Sequence, residues 1–586
     1  MATKAIQIAA LLGGLLATPA LGQAVQPPTR EQVRRDQLDD RLSRPGDGVT
    51  VDPALARAPC PLADAQYADI RFTLSSASFA GIEEVEPGLL DPAWRGSVGR
   101  ELPIAAVCDI RDRASAILNA AGYVASVQVP PQRIEGGAVQ FDVIVARMTG
   151  LVIRGEPGPS GEQLRRQFEK LRSQPVFRRG EAERSLMLAR DIPGMDVRLS
   201  LARDVGPDAR PGDLIGIVDV VMDRFQADFS VQNYSAGRTG PFGALLRAQI
   251  NGITGLADLT ELSVYSSQDP REQVVLQGRH EFGIGTDGLR AGINAVHAWT
   301  QPDVTGPDVF DSTTFVGTLY ASYPLVRAQV RNVVLSAGFD WIDQRIDFSG
   351  LDFSSDKLRV PFVRIEGGTI DRASAEGRGG YTIAEPRLAM HGSIELRHGI
   401  GGFGASKGCG PGFIACTAPG VVPIARFDAD PSALVIRYEG LLDFRPSPLW
   451  LVSLAPRAQY SPDALLSYEQ FSGGNFTIGR GFDPGELSGD SGAGARLEFA
   501  YGTLQPETPD AIAWQGFVFW DTATAWIRNV SDDPFTINSV GAGARFNIAR
   551  RAFLEVVGAV PLDRAPFETK RDDFRLLLNL SIKLGS

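Results

Sequence analysis

The sequence of 586 residues lacks the features by which most membrane proteins and enzymes are identified. Beyond its first 24 residues it has no run of about 18 or more apolar residues, which excludes a transmembrane helix. It has no G-x-S-x-G elbow, no Walker loop and no zinc motif, so we expect neither catalysis nor a bound cofactor or metal ion. Its net charge of −11 and pI near 5.1 argue against a nucleic-acid partner, which would select a basic surface.

Cysteine and histidine are scarce, with four of each. In an exported protein four cysteines suggest two disulfide bonds, and three pairings are open. Pairing neighbours in sequence is the economical choice, because each bond then stays inside one structural unit. A metal site is not expected, since neither pair has C-x-x-C spacing and the histidines lie away from the cysteines. The cysteines are Cys60, Cys108, Cys409 and Cys416, and the histidines are His280, His297, His391 and His398.

The N-terminus has the pattern of a secretory signal peptide over residues 1–24. Lys4 supplies a positive charge, residues 5–16 form an uncharged apolar stretch, and cleavage is expected after Gly22 or Ala24. The apolar stretch is too short for a membrane span, and the alternative is a buried N-terminal helix. An exported chain without a transmembrane helix is either a soluble periplasmic or secreted protein or a transmembrane β-barrel, whose alternating strands escape hydropathy analysis.

Residues 25–43 are predicted to be a polar helix and residues 44–59 a linker. Glu31 and Arg35 stand four residues apart, as paired charges do on a helix, but the segment holds almost no apolar residues. A helix with so little apolar surface to bury must lie in a polar environment. Proline and glycine recur through the following segment, which is typical of a linker.

Residues 60–147 and 148–222 are predicted to be two small α/β units that share a β-α-α-β-β order. In the first, apolar residues recur at helical spacing between Val107 and Leu118, and residues 138–146 alternate as a strand. The second unit shows the same helical spacing, followed by two further strands. Together the two units would form a modular arm ahead of the rest of the chain.

From residue 223 to residue 586 helical spacing disappears and period-2 alternation takes over. The last segment is the clearest, because every second residue from Phe574 to Leu584 is apolar while the residues between them include Asn579 and Lys583. Over this length, strands of about ten residues with their turns give about 16 antiparallel strands, so we predict a transmembrane β-barrel. A soluble β-sandwich would also alternate, but the region exceeds ordinary domain sizes.

One motif invites a catalytic interpretation. Gly489-Asp490-Ser491-Gly492 is similar to a serine-protease signature, but a nucleophilic serine needs a histidine base and a third group that orients it. None of the four histidines stands in a convincing partner motif. We therefore interpret this segment as a loop that leads into a strand.

Two other motifs predict a charge pair. Arg480 stands between Gly479 and Gly481 and before Phe482, and the glycines would permit a tight tip that holds the guanidinium out towards a carboxylate. The alternative is a solvated loop arginine.

The second motif places Phe519, Asp521 and Ala523 on one face of a predicted strand. Small residues on that face leave room for an inserted element, and an acid among them can meet an arginine. The alternative is an ordinary aspartate facing the lumen.

These motifs resemble those of two-partner secretion outer-membrane transporters of the haemolysin secretion/activation (ShlB/FhaC/HecB) type. Gly479-Arg480-Gly481-Phe482 is similar to the V-R-G-Y/F tip on the long loop after the eleventh strand, although Ile478-Gly479 replaces the usual valine. Phe519-x-Asp521-x-Ala523 resembles the F-x-D-x-G strand motif, with alanine in place of glycine. Further similar segments are Tyr468-Glu469-Gln470-Phe471, Tyr323-Pro324-Leu325-Val326-Arg327 and Asp191-Ile192-Pro193-Gly194.

The resemblance implies both a fold and a function. The two α/β units would be polypeptide-transport-associated (POTRA) domains in the periplasm, the first with Cys60 and Cys108 as a cysteine pair. The helix at 25–43 would be a plug in the barrel, and the Arg480 loop would fold into the lumen and pair with Asp521. The protein would then be a monomer in the outer membrane of a Gram-negative bacterium, where its POTRA domains capture an unfolded partner protein with an N-terminal secretion domain and its barrel secretes that partner.

Two other functions share parts of this pattern. An insertase for other outer-membrane proteins has the same superfamily fold, but such chains usually carry three to five POTRA units, whereas this sequence predicts two. A passive porin would need no periplasmic arm of about 200 residues.

Overall fold

The computed structural model describes residues 29–33, 50–51, 62, 64–303, 310–531, 533–566, 568, 571 and 573–585. The predicted signal peptide, most of the predicted polar helix and linker, and Cys60 lie outside these residues. Two short elements come first, the helical turn α1 (Arg30–Val33) and the strand β1 (Thr50–Val51). Within the described part of the chain, no helix has both the length and the apolar character needed to cross a membrane.

The first folded unit is a small sheet covered by one helix. Its elements are β2 (Arg71–Thr73), β3 (Ser76–Ala80), β4 (Glu101–Pro103), α2 (Ala106–Ala120), β5 (Ala125–Gln128) and β6 (Ala138–Val145). β6 pairs with β3 in parallel and with β5 in antiparallel orientation. The predicted helical face is confirmed, because Val107, Ile110 and Leu118 are all completely buried in the core of this unit, where Phe141 stacks on Phe79 at 5.1 Å.

The described residues of this unit form one α-helix and not the predicted two, so the expectation that both units have two helices was wrong. In place of the predicted first helix are two 3-10 turns, Asp91–Ala93 and Arg95–Ser97. Pro92 and Gly96 interrupt the segment, and neither residue supports the interior of an α-helix.

The second unit has the complete β-α-α-β-β order. Its elements are β7 (Arg147–Glu156), α3 (Gly161–Arg172), α4 (Arg179–Arg190), β8 (Met195–Arg203) and β9 (Asp213–Met222). Leu164, Phe168 and Leu171 form the buried face of α3, as their spacing predicts. The sheet order is β1-β8-β9-β7, so the described part of the predicted linker is itself the edge strand, paired in parallel with Ser200–Leu201 of β8.

The rest of the described chain is a closed barrel of sixteen antiparallel strands, which confirms the predicted fold class and strand number. Two helical turns, α5 (Arg372–Ala375) and α6 (Ile414–Thr417), lie in its loops. The barrel strands are β10 (Phe225–Gln232), β11 (Gly243–Asn251), β12 (Leu259–Ser267), β13 (Gln273–Ile284), β14 (Leu289–Thr300), β15 (Phe310–Arg327), β16 (Arg331–Phe348), β17 (Leu351–Ile370), β18 (Leu388–His398), β19 (Leu434–Ser447), β20 (Trp450–Tyr460), β23 (Ser491–Gly502), β24 (Ile512–Trp526), β25 (Phe535–Ile548), β26 (Ala552–Pro561) and β27 (Arg575–Lys583), with β21 (Phe471–Gly473) and β22 (Leu487–Gly489) forming a separate ribbon.

The barrel wall separates apolar and polar side chains as the alternation predicts. On β27, Leu576 is 50 % exposed on the outside, whereas Asn579 and Ser581 are buried inside. Aromatic rings meet on the outer face at the end of the wall near the two α/β units, where Tyr501 lies 5.0 Å from Trp450 and 6.4 Å from Trp514, measured between ring centres. Such an aromatic band is typical of a membrane interface.

The second unit is attached to the adjacent rim of the barrel by charge pairs. Arg327 at the end of β15 donates to both carboxylate oxygens of Asp191, at 2.7 and 2.6 Å. Lys170 of α3 lies 2.6 Å from Asp287 in the turn between β13 and β14. The arginine and Asp191 belong to two of the motifs noted in the sequence, so these motifs are the two halves of one junction.

Candidate functional site

The loop that follows β20 folds back into the barrel, and we call residues 461–490 the lumen loop. β20 is the eleventh strand of the barrel and β23 the twelfth, so the loop occupies the position that the sequence motif implies. Its base is the ribbon of β21 and β22. Its apolar residues pack on inward-facing residues of the wall in one buried cluster, which contains Phe471, Ile478, Phe482 and Leu487 from the loop and Ala523, Ala525 and Ile537 from the wall.

The glycines on either side of Arg480 are required at the tip of the lumen loop. Gly479 has a φ of 118°, a conformation that residues with a side chain rarely adopt. Gly481 lies so close to the wall that a Cβ would stand 2.9 Å from the backbone nitrogen of Pro561 and 2.9 Å from the Cβ of Ser539. The two glycines therefore allow the arginine between them to reach the wall.

Arg480 and Asp521, whose pairing the resemblance implies, lie together in the structure. Nη2 donates to Oδ1 at 2.8 Å, Nε donates to Oδ2 at 3.0 Å, and the backbone N–H of Arg480 donates to Oδ2 at 2.9 Å. The guanidinium lies 3.5 Å from the centre of the Phe519 ring. Asp521 is fully buried and Arg480 is 8 % exposed, so removing one partner should cost about 3–5 kcal/mol because the other charge stays buried.

This ion pair is one end of a longer charge network on the inner wall. Arg480 also donates to Glu498 of β23 at 3.1 Å. Glu498 accepts from Arg545 of β25 at 2.9 Å, and Arg545 in turn binds Glu555 of β26. The network therefore connects the loop tip to three further strands, and it fixes the guanidinium in both position and orientation.

The base of the lumen loop carries a second anchor of opposite charge. Glu469, from the Tyr-Glu-Gln-Phe segment, accepts from Arg397 of β18 at 2.9 and 2.7 Å and from Arg437 of β19 at 2.8 Å. Each of the three side chains is less than a tenth exposed. Near the start of the loop, the acidic Glu469 thus lies between two basic wall residues. At the tip of the loop, the basic Arg480 lies between two acidic wall residues, Asp521 and Glu498.

The described turn of the predicted plug helix lies in the lumen beside this second anchor. Glu31 accepts from Arg457 of β20, which also donates to Glu439 of β19 at 3.1 Å. Arg30 lies 3.1 Å from Glu31 and 4.0 Å from Glu439. Thr29 lies beside Gly485 of the lumen loop, close enough that a Cβ on that glycine would stand 2.9 Å from its Cγ2. Charged contacts therefore dominate the described part of this helix.

The cysteines form disulfide bonds rather than a metal site in the part of the chain that the structure describes. Cys409 and Cys416 are bonded to each other in the loop between β18 and β19. Cys108 on α2 is disulfide-bonded as well, and its predicted partner Cys60 lies outside the described residues. The described residues contain neither a free cysteine nor a group of metal-ligating side chains.

Most of the charged residues on the inner wall were not predicted from the sequence. The signal was present, because Arg437 stands between Ile436 and Tyr438, and Glu498 between Leu497 and Phe499, at the polar positions of alternating strands. Strand parity therefore marks these residues as facing the lumen. Their partners Glu469 and Arg480 lie in the lumen loop, which has no such periodicity.

Comparison with known proteins agrees with this geometry. Residues 373–546 match the family model of the haemolysin secretion/activation protein ShlB/FhaC/HecB, and residues 72–145 match the ShlB-type POTRA domain. The heme/hemopexin transporter protein HuxB of Haemophilus influenzae (strain 86-028NP) is 24 % identical over 210 residues, which are 35 % of this chain and 36 % of that protein. The match thus spans about a third of this relative.

Two solved structures share the fold. CdiB from Escherichia coli superposes with a TM-score of 0.72 at 17 % identity, over 97 % of this chain and 98 % of that one. BamA from Haemophilus ducreyi lacking POTRA domains 1–3 gives a TM-score of 0.50 at 12 % identity, over 88 % and 100 %.

Fold and site together define an outer-membrane β-barrel with a periplasmic POTRA domain and an occupied lumen. The chain is similar to the haemolysin secretion/activation protein family over residues 373–546 and to the ShlB-type POTRA domain over residues 72–145.

Proposed function

We propose that this protein exports an unfolded partner protein through its own barrel, as a monomer embedded in outer-membrane lipid. The observation that carries the proposal is the way in which the lumen is occupied. The plug turn at Arg30 and Glu31 and the loop tip at Arg480 are both held by ion pairs with the wall. Ion pairs can exchange for water when an element leaves. The plug turn, whose described contacts are mainly charged, should therefore leave more easily than the lumen loop, which also packs on the wall through an apolar cluster.

We propose that residues 60–147 and 148–222 act as two POTRA domains that receive the partner. In the second of these, the edge of β8 pairs, within the described residues, with the two residues of β1. An extended peptide can add to such an edge by main-chain hydrogen bonds, which need little sequence specificity. Because β1 and α1 lie on one chain, the arrival of the partner at β8 would displace the plug's own tether and favour its departure from the lumen.

The order of events follows from the contacts. The plug turn lies against the base of the lumen loop through Thr29 and Gly485, so it must leave before that loop can move. The Arg480 tip then separates from Asp521 and opens a path along β23 and β24. Folding of the partner outside the cell would draw the chain through, since the periplasm supplies no ATP.

The first test is the variant Arg480→Ala, assayed with the cognate partner. We expect a barrel that inserts normally and secretion that falls sharply, because Asp521 loses the arginine that binds it and Glu498 keeps only Arg545. Arg480→Lys keeps the charge but not the bidentate geometry and should recover part of the secretion.

The matched control is Arg271→Ala, which removes an exposed arginine from the turn between β12 and β13. Membrane insertion of every variant is checked by heat-modifiable migration. Normal secretion from a normally inserted Arg480→Ala protein would show that Arg480 is not required for secretion.

One observation favours a second candidate, an insertase for other outer-membrane proteins. The seam between the first and last strands is the shortest pairing in the barrel, with five residue pairs between β10 and β27. A client strand could leave sideways through such a seam. Cysteines at Ser230 and Ser581, which are paired there, can lock the seam by a disulfide bond. Export through the lumen should survive this lock, whereas insertion through the seam should stop.

The proposal assigns no catalytic role to the Gly-Asp-Ser-Gly motif. Ser491 Oγ exchanges hydrogen bonds with the backbone of Ser461, accepting from its N–H at 3.1 Å and donating to its carbonyl at 3.3 Å. Asp490 binds arginine and backbone groups rather than a histidine. These contacts support a structural role for the segment.

A further inference from the structure

The inner wall of the barrel carries an apolar belt near its extracellular end. A wide barrel that holds water has a polar interior, so apolar residues on the inner face need a cover. The belt spans seven neighbouring strands, β11 to β17, and all of its members are buried. They include Tyr265, Val275, Val296, Ala298, Val316 and Ile342.

The cover is the loop between β18 and β19, residues 399–433, which we call the cap. Its disulfide-bonded Cys409 and Cys416, together with Ile424 and Ala429, belong to the same buried cluster as the apolar belt. Leu466 and Tyr468 of the lumen loop complete that cluster. The cap therefore fills the extracellular mouth on the side of the barrel that the lumen loop leaves uncovered.

The cap also protects an unpaired strand edge. β17 begins at Leu351, but its pairing with β18 starts only at Phe362, so about ten residues of β17 have no neighbouring strand on that side. The cap supplies backbone hydrogen bonds there instead. They run from Ile400 N to Arg359 O at 2.9 Å, from Ser406 N to Lys357 O at 2.8 Å and from Ser355 N to Pro423 O at 2.8 Å.

A buried carboxylate fastens the cap to the lumen loop. Asp490, the last residue of that loop, is fully buried. Its Oδ1 accepts from Nη1 of Arg426 in the cap at 2.6 Å and from the backbone of Leu465 at 2.8 Å. Its Oδ2 accepts from the backbone of Arg528, in the loop after β24, at 2.8 Å. Arg426 also donates to the carbonyl of Arg528 at 2.8 Å, so one carboxylate joins three extracellular loops.

We infer that residues 399–433 close the extracellular mouth of the barrel and that Asp490 is the positioning residue that holds them shut through Arg426. The closing role concerns the resting protein alone. The need for the cap to open rests on the proposed export function, because a chain that leaves the barrel must pass the cap. The Gly-Asp-Ser-Gly motif thereby gains a role in gating.

The first experiment measures the conductance of the full-length protein in planar bilayers without any partner. Asp490→Asn and Arg426→Gln should each raise the frequency of open events several-fold, and the double variant should exceed the stronger single variant only slightly, because both substitutions break the same ion pair. Arg271→Ala is the control. Open frequencies like the control for both single variants would overturn the inference. Since Arg426 is only partly buried, its variant remains informative if Asp490→Asn fails to insert.

The second experiment locks the cap to β17. Cysteines at Lys357 and Ser406 can be bridged by a short bismaleimide, while the disulfide-bonded Cys409 and Cys416 do not react. Bridging should suppress the added openings of Arg426→Gln and, with the partner present, stop secretion. Undiminished openings of the bridged variant would show that the cap is not the gate. Secretion that continues through a bridged cap would show that the cap need not move.

The two proposals can fail separately. The conductance experiment needs no partner. If the cap variants raise the open frequency of a protein that secretes nothing, the closing role of the cap is supported and the export function is contradicted.

Discussion

The contact between the plug turn and the wall yields a quantitative prediction. Two substitutions remove the same ion pair from opposite sides, Glu31→Gln from the helix and Arg457→Gln from the wall. If the pair simply added a fixed energy, both would loosen the plug equally. The structure predicts unequal effects, because Arg457 has two acidic partners and Glu31 has one wall partner.

The magnitudes follow from what each substitution leaves behind. After Glu31→Gln, Arg457 keeps Glu439 at 3.1 Å, so no charge on the wall is left unpaired. The side chains are 13 % and 16 % exposed, between the surface and buried cases, which gives a cost of about 1–2 kcal/mol and an open-to-closed ratio that rises roughly 5–30-fold.

After Arg457→Gln, Glu31 and Glu439 both lose their wall arginine. Arg30 can compensate only in part, since it lies 4.0 Å from Glu439. We therefore expect a cost of about 2–3 kcal/mol and an open-to-closed ratio that rises by up to about 150-fold.

Planar-bilayer recording of the full-length protein measures this ratio as the fraction of time spent open. Raising the salt concentration from about 0.1 M to about 1 M shortens the electrostatic screening length from roughly 10 Å to roughly 3 Å. The open fraction of the wild type should therefore rise towards the open fractions of both variants. Arg271→Ala serves as the control. An effect of Glu31→Gln larger than that of Arg457→Gln, or no effect of either, would refute the assignment of the plug to this ion pair.

Three further outcomes test the fold. Gly481→Ala should impair secretion as Arg480→Ala does, with a normally inserted barrel, because its Cβ would collide with the wall at Pro561; normal secretion would contradict the tip geometry. Phe141→Ala should destabilise the first unit by about 3–5 kcal/mol in denaturant unfolding, since the ring is fully buried, and a loss below about 1 kcal/mol would contradict that core. Arg327→Ala should broaden spin-label distances between the second unit and the barrel, and unchanged distances would contradict the junction.

Alternation and helical spacing carry enough information to predict the architecture. The last strand could be identified because lipid and lumen impose opposite requirements on Leu576 and Asn579, two positions that differ in parity. The first unit was predicted to have two helices because the same element order was expected in both units. Pro92 and Gly96 prevent the first of these helices, and this local effect is stronger than the similarity between the units. The pairing of β1 with β8 could not be predicted, since two residues carry no period and the contact depends on tertiary position.

The candidate site was predictable only where a backbone constraint marks it. Arg480 stands out because its flanking glycines are unusual in a strand-rich region, and Asp521 because a resemblance pointed to it. Glu469 and Asp490 lie in loops without periodicity, so the sequence could not reveal that each lies among arginines from distant segments. The cap was missed for the same reason, since its cysteines predict a bond but not the surface that the bonded loop covers.

The opposite charges of the two loop anchors have a consequence for gating. Glu469 lies among arginines and Arg480 among carboxylates, so sliding the loop along the wall would separate opposite charges at both ends. Such a loop has one favourable register and resists partial displacement. The plug turn stands beside the Glu469 anchor and the cap is fastened through Asp490, at the two ends of the same loop. If the proposed function is right, a change at either end would be transmitted to Arg480 by the loop itself, so a partner arriving in the periplasm and the cap on the cell surface would act on one ion pair.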